Sequence, residues 1–207
     1  YHLTRIRNVT AEMTFLVQIT DTHILPPGEV LYGEVDTARH LKDTVQTINR
    51  MRPLPDVVLI TGDLADRGDT VGYRHFIELI RPLKMPVFVI AGNHDNPSLM
   101  SEVFAATPYF PVADNTFQFA IEDFPFRILA LNSHGDDTEL PVFGDERLAW
   151  LADQLEQSHE PTLIAIHHPP MMTGIELMDM GGSEWYQDLK SVLAGHEHVK
   201  LLICGHC

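Results

Sequence analysis

The sequence has no long apolar run, and it is poor in cysteine and in positive charge. No stretch approaches the roughly 20 apolar residues of a membrane-spanning helix, and residues 1–13 lack the apolar centre of a secretory signal. The chain has two cysteines, Cys204 and Cys207, which fits a reducing compartment, so we expect a cytoplasmic location. Its net charge of −15 argues against partners such as nucleic acid polymers or an anionic membrane surface.

The 207 residues, 44% of them hydrophobic, suffice for one sizeable core. Short apolar runs alternate with helical patterns, which indicates the α/β class. We see no repeat and no linker, and we therefore predict a single domain over residues 13–207. The first residue is Tyr and the first strand pattern opens at Met13, so residues 1–12 are expected to be an N-terminal extension, or residues added to the natural chain.

The hydrophobic patterns predict the following elements. Strands are expected over residues 15–19, 57–60, 87–90, 117–121, 126–131, 162–166 and 199–204. Helices are expected over residues 35–48, 70–83, 97–106, 145–157 and 184–194. Strands 117–121 and 126–131 should form an antiparallel pair, because their connection is short. Ser183 is a candidate N-cap for the last helix, and Gly195 a candidate left-handed stop.

Metal-ligating residue types follow five of the predicted strands. Because α/β folds build their sites where parallel strands end, these side chains should meet at one edge of the sheets. A mixed oxygen and imidazole set suits Mn, Zn, Fe or Co better than Ca or Mg. Two ions about 3.5–4 Å apart would need a bridging carboxylate. Gly62, Gly92 and Gly205 would let the backbone turn and approach the ions closely. The strand-end residues are Asp21, His23, Asp63, Asn93, His94, Asp95, His167, His168 and His206.

These residues carry a family resemblance. Asp-x-His, Gly-Asp, Gly-Asn-His-Asp, His-His-Pro-Pro and Gly-His occur in this order and resemble the calcineurin-like metallophosphoesterase superfamily. Within it, the chain most resembles class III cyclic-nucleotide phosphodiesterases and bacterial glycerophosphodiesterases. The resemblance runs from the first strand to the last residue. It implies a four-layer α/β/β/α sandwich and an enzyme that hydrolyses small phosphodiesters by attack of a hydroxide bridging two divalent metal ions.

The resemblance also implies a role for each site residue. Asp21 and His23 would bind the first metal, and Asp63 would bridge the two ions. The ligands of the second metal would be Asn93, His167 and His206. The catalytic pair would be His94, which faces the substrate as proton donor without binding metal, and Asp95, which orients it. His168 is expected to be structural or to support a ligand.

The sequence departs from the family pattern at its end. The family motif is Gly-His-x-His, whereas this chain reads Gly205-His206-Cys207 and stops. We therefore expect a C-terminally truncated domain whose first metal is weakly held. The resemblance leaves open a homodimer of the full-length protein.

Several alternatives are left open. Asp66-Arg67-Gly68 also occurs in phosphoprotein phosphatases, which favours a phosphomonoesterase or protein phosphatase; we expect Asp66 and Arg67 to form an ion pair instead. A non-catalytic metal-binding scaffold is a second alternative, and a redox protein built on Cys204 and Cys207 a third. A second Gly-His-x-His at residues 195–198 precedes a strand, so it should lie at the opposite edge of the sheet. The methionines between residues 171 and 180 could form a lid or an ordinary loop.

Overall fold

Two four-stranded sheets form the centre of the molecule, for which a computed structural model describes residues 2–7, 13–135 and 138–206. In each sheet the first strand runs antiparallel to the second, and the second, third and fourth run parallel. The first sheet, in spatial order, contains β1 (His2–Arg7), β2 (Met13–Ile19), β3 (Val57–Thr61) and β4 (Val87–Ile90). The second contains β5 (Phe119–Ile121), β6 (Arg127–Ala130), β7 (Thr162–Ala165) and β8 (Val199–Ile203).

Helices link the parallel strands within each sheet, and one further helix lies in sequence between the two sheets. Three helices belong to the first sheet: α1 (Thr37–Arg50), α2 (Thr70–Ile80) and α3 (Pro97–Phe104). Two belong to the second: α4 (Asp145–Gln157) and α5 (Gln187–Ala194), the latter preceded by a 3₁₀ turn over Glu184–Tyr186. The first three begin with a side-chain cap, in which the Asp or Asn before the helix accepts a backbone N–H three residues on. Such caps satisfy N–H groups that lack a partner within the helix.

Alternation along the strands of the second sheet separates two cores. Successive side chains of a strand point to opposite faces. Ile128, Ala130, Leu163 and Ala165 pack into a core shared with the first sheet, whereas the residues that alternate with them, Leu129 and Ile164, pack against α4 and α5. The order of layers is therefore helix, sheet, sheet, helix, which confirms the predicted sandwich.

Three details differ from the sequence predictions. Ser183 gives no side-chain cap, because the helix starts as a 3₁₀ turn and Ser183 has helical φ and ψ. Gly195 is not left-handed: its φ is −77°, and its N–H bonds back to Val192, so α5 ends in a tight right-handed turn. Residues 2–7, for which no element was predicted, form a strand paired with β2. The boundary at residue 13 stays a prediction.

Among the described residues, no helix is both long enough and apolar enough to cross a membrane.

Candidate metal centre and active site

The candidate site lies where the parallel strands of both sheets end. The loops that follow these strands are joined by backbone hydrogen bonds: the Asp21 N–H donates to Gly62 O at 3.1 Å, and the Gly205 N–H donates to His167 O at 2.9 Å. The two sheets are linked to each other as well, because His167 Nδ1 donates to Thr61 O at 2.8 Å. The ends of four strands, β2, β3, β7 and β8, are thereby held at one edge.

Asp63 occupies the centre of the site. Its Oδ2 lies 3.6 Å from Nε2 of His23 and 3.5 Å from Nε2 of His167. Its other oxygen, Oδ1, accepts the N–H of His94 at 2.9 Å. Burial alone would raise the pKa of Asp63, but the hydrogen bond and charge of His167, together with the His94 N–H and His23, hold it well below its ordinary value. The carboxylate is therefore an anion that faces imidazoles on two sides, as a bridging ligand must.

The donor set around His167 fits a cation. Because Nδ1 of His167 donates to a carbonyl, Nε2 of the neutral ring presents a lone pair. This nitrogen lies 3.0 Å from Oδ1 of Asn93 as well as 3.5 Å from the Asp63 carboxylate. Three lone-pair atoms thus converge, and a metal ion or a proton must lie between them. Burial would lower the pKa of His167, yet Asp63 and Asp21 raise it overall, which shows the same demand for positive charge.

The remaining predicted ligands lie around this centre. Asp21, His23 and Asp63 form one group whose ligand atoms lie within 4.8 Å of one another, and His167, His168 and His206 form another. The His206 ring centroid is 5.1 Å from that of His167 and 4.6 Å from that of His168. The structure therefore brings together all six residues predicted to bind metal.

His168 also belongs to this centre. Its ring is buried, and Nδ1 contacts the Ser133 hydroxyl at 2.8 Å. Within the described residues Nε2 has no hydrogen-bond partner. Burial, with the nearby His167 and His206, lowers the pKa of His168 to about 2. His168 is therefore a neutral imidazole, and it belongs to the same group of candidate ligands as His167 and His206.

Backbone strain is concentrated in the same residues. Asp21, His23, Asp63 and His206 have φ values of 53°, 41°, 51° and 66°. Non-glycine residues rarely adopt this left-handed region, which costs about 1–3 kcal/mol for each residue and persists only where the surroundings enforce it. Four of the six predicted ligands have this conformation, which indicates that the turns orient their side chains toward the site.

All three glycines named in the sequence analysis make the close approach predicted for them, and a Cβ on Gly62 would lie 2.3 Å from Nδ1 of His167. A Cβ on Gly92 would lie 2.2 Å from Oδ1 of Asp63, and one on Gly205 would lie 2.1 Å from the Thr20 hydroxyl. All three distances are far shorter than any real Cβ contact. The backbone of the loops after β4 and β8 can therefore approach the site this closely only at a glycine.

We expect Gly92→Ala to displace Asp63 and to weaken metal binding. The added methyl group must push the carboxylate aside, and overpacking of this kind costs roughly 1–3 kcal/mol of stability. Urea unfolding and a manganese titration would measure both effects. Gly195→Ala is the matched control, because Gly195 has a negative φ and only an ordinary contact to Val192. Equal metal affinity in the two variants would contradict the predicted close approach.

A family model described as calcineurin-like phosphoesterase matches residues 16–206. This chain belongs to that family. It is 37% identical over 193 residues to a probable glycerophosphodiester phosphodiesterase of Arcobacter nitrofigilis, covering 92% of this chain and 70% of the relative. It is 32% identical over 194 residues to a probable cyclic nucleotide phosphodiesterase of Synechococcus, covering 92% and 72%. The resemblance inferred from the strand-end motifs is confirmed.

Among solved structures, a purple acid phosphatase from yellow lupin seeds superposes with a TM-score of 0.65 at 17% identity. The match covers 98% of this chain and 42% of the lupin protein. At this identity the likeness concerns the fold alone, and it agrees with the calcineurin-like sandwich described above.

His94 lies beside the predicted metal ligands, with its ring half-buried. The ring packs edge-on to His23, with centroids 4.7 Å apart, and Nδ1 donates to Asp66 O at 2.9 Å. Nε2 is therefore the nitrogen available to a substrate. Burial would lower the pKa of His94, but the Asp66 hydrogen bond and the charges of Asp63, Asp66 and Glu139 raise it overall. These contacts favour the protonated ring that a proton donor requires.

The contact predicted for Asp95 is wrong. Its carboxylate accepts N–H groups of Gly92 at 2.9 Å, Leu64 at 3.1 Å and Ala65 at 3.3 Å, and the Tyr73 hydroxyl at 3.2 Å. The His94 ring is oriented by the Asp66 carbonyl instead. Burial and the charge of Asp63 raise the pKa of Asp95 to about 7, against the lowering effect of the three N–H groups. Asp95 therefore holds the loops after β3 and β4 together.

We expect Asp95→Ala to lower the free energy of unfolding by roughly 3 kcal/mol or more, because each buried N–H left without a partner costs about 1–3 kcal/mol. Urea denaturation followed by circular dichroism measures this change. Asp43→Ala removes an exposed carboxylate and should stay within about 0.5 kcal/mol of the parent chain. A stable Asp95→Ala variant that had lost only activity would restore the catalytic role first predicted.

The predicted ion pair between Asp66 and Arg67 is also wrong. Arg67 pairs with Glu29 at 2.7 Å, whereas the Asp66 carboxylate lies 3.3 Å from Nδ1 of His23. Asp66 therefore turns toward the site, and with His23 and His94 it forms a third group of candidate ligands. Sequence reasoning assigned Asp66 to its charged neighbour because a pattern of residue types does not show which way a loop side chain turns.

Sequence reasoning also missed part of the surrounding cavity. A space of about 310 Å³ beside the site is also lined by residues outside the predicted set: Tyr32, Glu139, Leu140, Pro141, Leu177, Met178, Met180 and Gly181. Of the methionines considered for a lid, Met178 and Met180 line it. The second Gly-His-x-His, at residues 195–198, precedes β8 and thus lies at the other edge, as predicted. The geometry of the Cys204 and Cys207 pair lies outside the described residues.

Proposed function

We propose that this chain hydrolyses small phosphodiesters with the help of two divalent metal ions. The observation that carries the proposal is the position of Asp63, whose Oδ2 faces the Nε2 atoms of His23 and His167 at nearly equal distances of 3.6 and 3.5 Å. A single structural ion would not need imidazoles from two separate groups of candidate ligands at the same carboxylate. The glycerophosphodiester and cyclic nucleotide activities in the names of the relatives support small diesters as the substrates.

The residues divide into two ligand sets. Asp21 and His23, with Asp63, would hold the first ion; Asn93, His167 and His206, with the same Asp63, would hold the second. Oxygen and imidazole donors of this kind suit Mn, Zn, Fe or Co. Two bound ions of this class would neutralise charge on the phosphate and lower the pKa of the attacking water.

His94 supplies the proton that the reaction needs. Hydrolysis breaks the bond between phosphorus and the oxygen of the leaving alcohol, and that oxygen must gain a proton. The His94 ring is fixed through Nδ1 by the Asp66 carbonyl, so Nε2 delivers the proton toward the site. Charges on Asp63 and Asp66 favour the protonated form, which suits a general acid.

The proposal is tested with the chelator-treated chain. We expect no hydrolysis of bis(p-nitrophenyl) phosphate until Mn or Zn is restored, and then turnover that saturates with the added ion. Hydrolysis of cyclic AMP and of glycerophosphocholine by the same samples would distinguish the two named substrate classes. Faster turnover of p-nitrophenyl phosphate than of the diester would favour the phosphatase alternative. Metal binding without turnover of any ester would support the alternative of a non-catalytic metal-binding scaffold.

A cytoplasmic location and a homodimer of the full-length protein stay predictions.

A further inference from the structure

Two sets of residues, each treated as one wall, line the cavity beside the metal centre. One wall is the site itself, with Asp63, His94 and His206 among its residues. The other comes from two separate loops of the second sheet and is built from Glu139, Leu140, Pro141, Leu177, Met178, Met180 and Gly181. A substrate held at the metal centre would therefore lie in a cavity that this second wall also lines.

The second wall is mostly apolar and bears one negative charge. Leu140, Leu177 and Met180 line it although they are 41%, 68% and 63% exposed, and exposed apolar groups collected at one cavity indicate a binding surface. Glu139 is the acidic residue of this wall. It is exposed, and it lines the same cavity as His94.

A carboxylate at this position distinguishes phosphate esters by their charge. A phosphodiester carries one negative charge, whereas a monoester carries nearly two at neutral pH, since its second pKa is about 6. Repulsion from Glu139 is proportional to the ligand's charge, so it acts about twice as strongly on a monoester. The apolar side chains act in the same direction, because a diester has a second organic arm that can cover them and a monoester does not.

We propose that Glu139 is a specificity residue that selects diesters over dianionic monoesters and assists release of the monoester product. This inference rests on the proposed function. It adds a residue that binds no metal and moves no proton, and it explains why an acidic side chain faces a site that must bind an anion.

The test compares E139Q with the parent chain on two nitrophenyl esters at pH 8 with manganese. We expect kcat/KM to rise about 3-fold for bis(p-nitrophenyl) phosphate and about 10-fold for p-nitrophenyl phosphate, because the charge effect enters once for the monoanion and twice for the dianion. E176Q is the matched control: Glu176 is an exposed glutamate of the neighbouring loop and is not among the described residues that line the cavity. Its ratio of the two rates should equal that of the parent chain.

Binding of inorganic phosphate to the manganese-loaded chain provides a readout independent of turnover. Calorimetry should show about 10-fold tighter binding of this dianion to E139Q than to the parent chain or E176Q. An unchanged monoester-to-diester ratio and an unchanged phosphate affinity in E139Q would overturn the inference, as would equal shifts in E176Q. A parent chain without metal-dependent turnover would refute the proposed function. In that case the phosphate affinity, by itself, would still test the role of Glu139.

Discussion

Asp63→Asn should lower kcat/KM for bis(p-nitrophenyl) phosphate by about 1,000-fold or more. The variant keeps the size of the side chain and the oxygen that accepts the His94 N–H, but it removes the charge that faces His23 and His167. Loss of the bridging anion weakens both ligand sets at once. Metal ions supply several kcal/mol of transition-state stabilisation, and each 1.4 kcal/mol is a tenfold change in rate, which gives the size of the expected effect.

The steady-state rate at saturating manganese is the measurement, with Asp43→Asn as the control for loss of one carboxylate. Asp43 lies on α1 with its side chain exposed, so its variant should match the parent chain. Circular dichroism should show that both variants are folded. A folded Asp63→Asn chain with at least one tenth of the parent rate would show that the carboxylate does not bridge catalytic ions.

His94→Ala should lower kcat by about 100- to 10,000-fold, the usual range for loss of a general acid. Metal content should stay at the parent level, since the predicted role is proton donation and not ligation. The measurement therefore pairs kcat for a diester with an alkyl leaving group, such as glycerophosphocholine, with the number of ions that remain after gel filtration. His159→Ala is the control, because His159 is exposed and precedes β7, at the edge of the sheet opposite the site.

The metal content of His94→Ala distinguishes a proton-donating role of His94 from direct coordination of a metal ion. His94 forms a candidate ligand group with His23 and Asp66, so direct coordination is a concrete alternative. Loss of one ion in His94→Ala would assign His94 to the ligands. A leaving group that needs no proton, such as p-nitrophenolate, should also be affected less by His94→Ala than an alkyl leaving group is.

The strand-end residues could be predicted from the sequence because a continuous apolar run marks each buried strand, and metal-ligating residue types follow directly after it. Buried strands such as β3 are continuous apolar runs, and the residue that follows, as in Gly62-Asp63, is fixed by the end of the strand. Parallel strands bring their carboxyl ends to the same edge of the sheet, whatever conformation the intervening loops adopt. The ligand positions therefore follow from strand order, with no knowledge of loop conformation.

Loop side chains could not be predicted in this way. The partner of Asp66 depends on the backbone turn after Asp63, and the partner of Arg67 is Glu29, 38 residues away in sequence. Glu139 follows two residues outside the described part of the chain and has no local pattern that links it to His94. The second cavity wall therefore becomes visible only when the sheets are assembled.

The ends of the last helix also could not be predicted from residue types alone. Ser183 and Gly195 have the residue types that favour a cap and a left-handed stop, yet neither adopts that conformation. The 3₁₀ turn before α5 and the short connection to β8 override these preferences, because the packing of Tyr186 and Leu189 in the second core fixes where the helix lies.

The number of metal ions bound by the parent chain and by Asp63→Asn tests the central claim most directly. Both proteins would be treated with chelator, equilibrated with manganese and analysed for bound metal under identical conditions. If Asp63 bridges two ligand sets, the parent chain binds manganese at the strand ends and the variant loses that binding. Equal metal content in the two proteins, with equal affinity, would contradict the account.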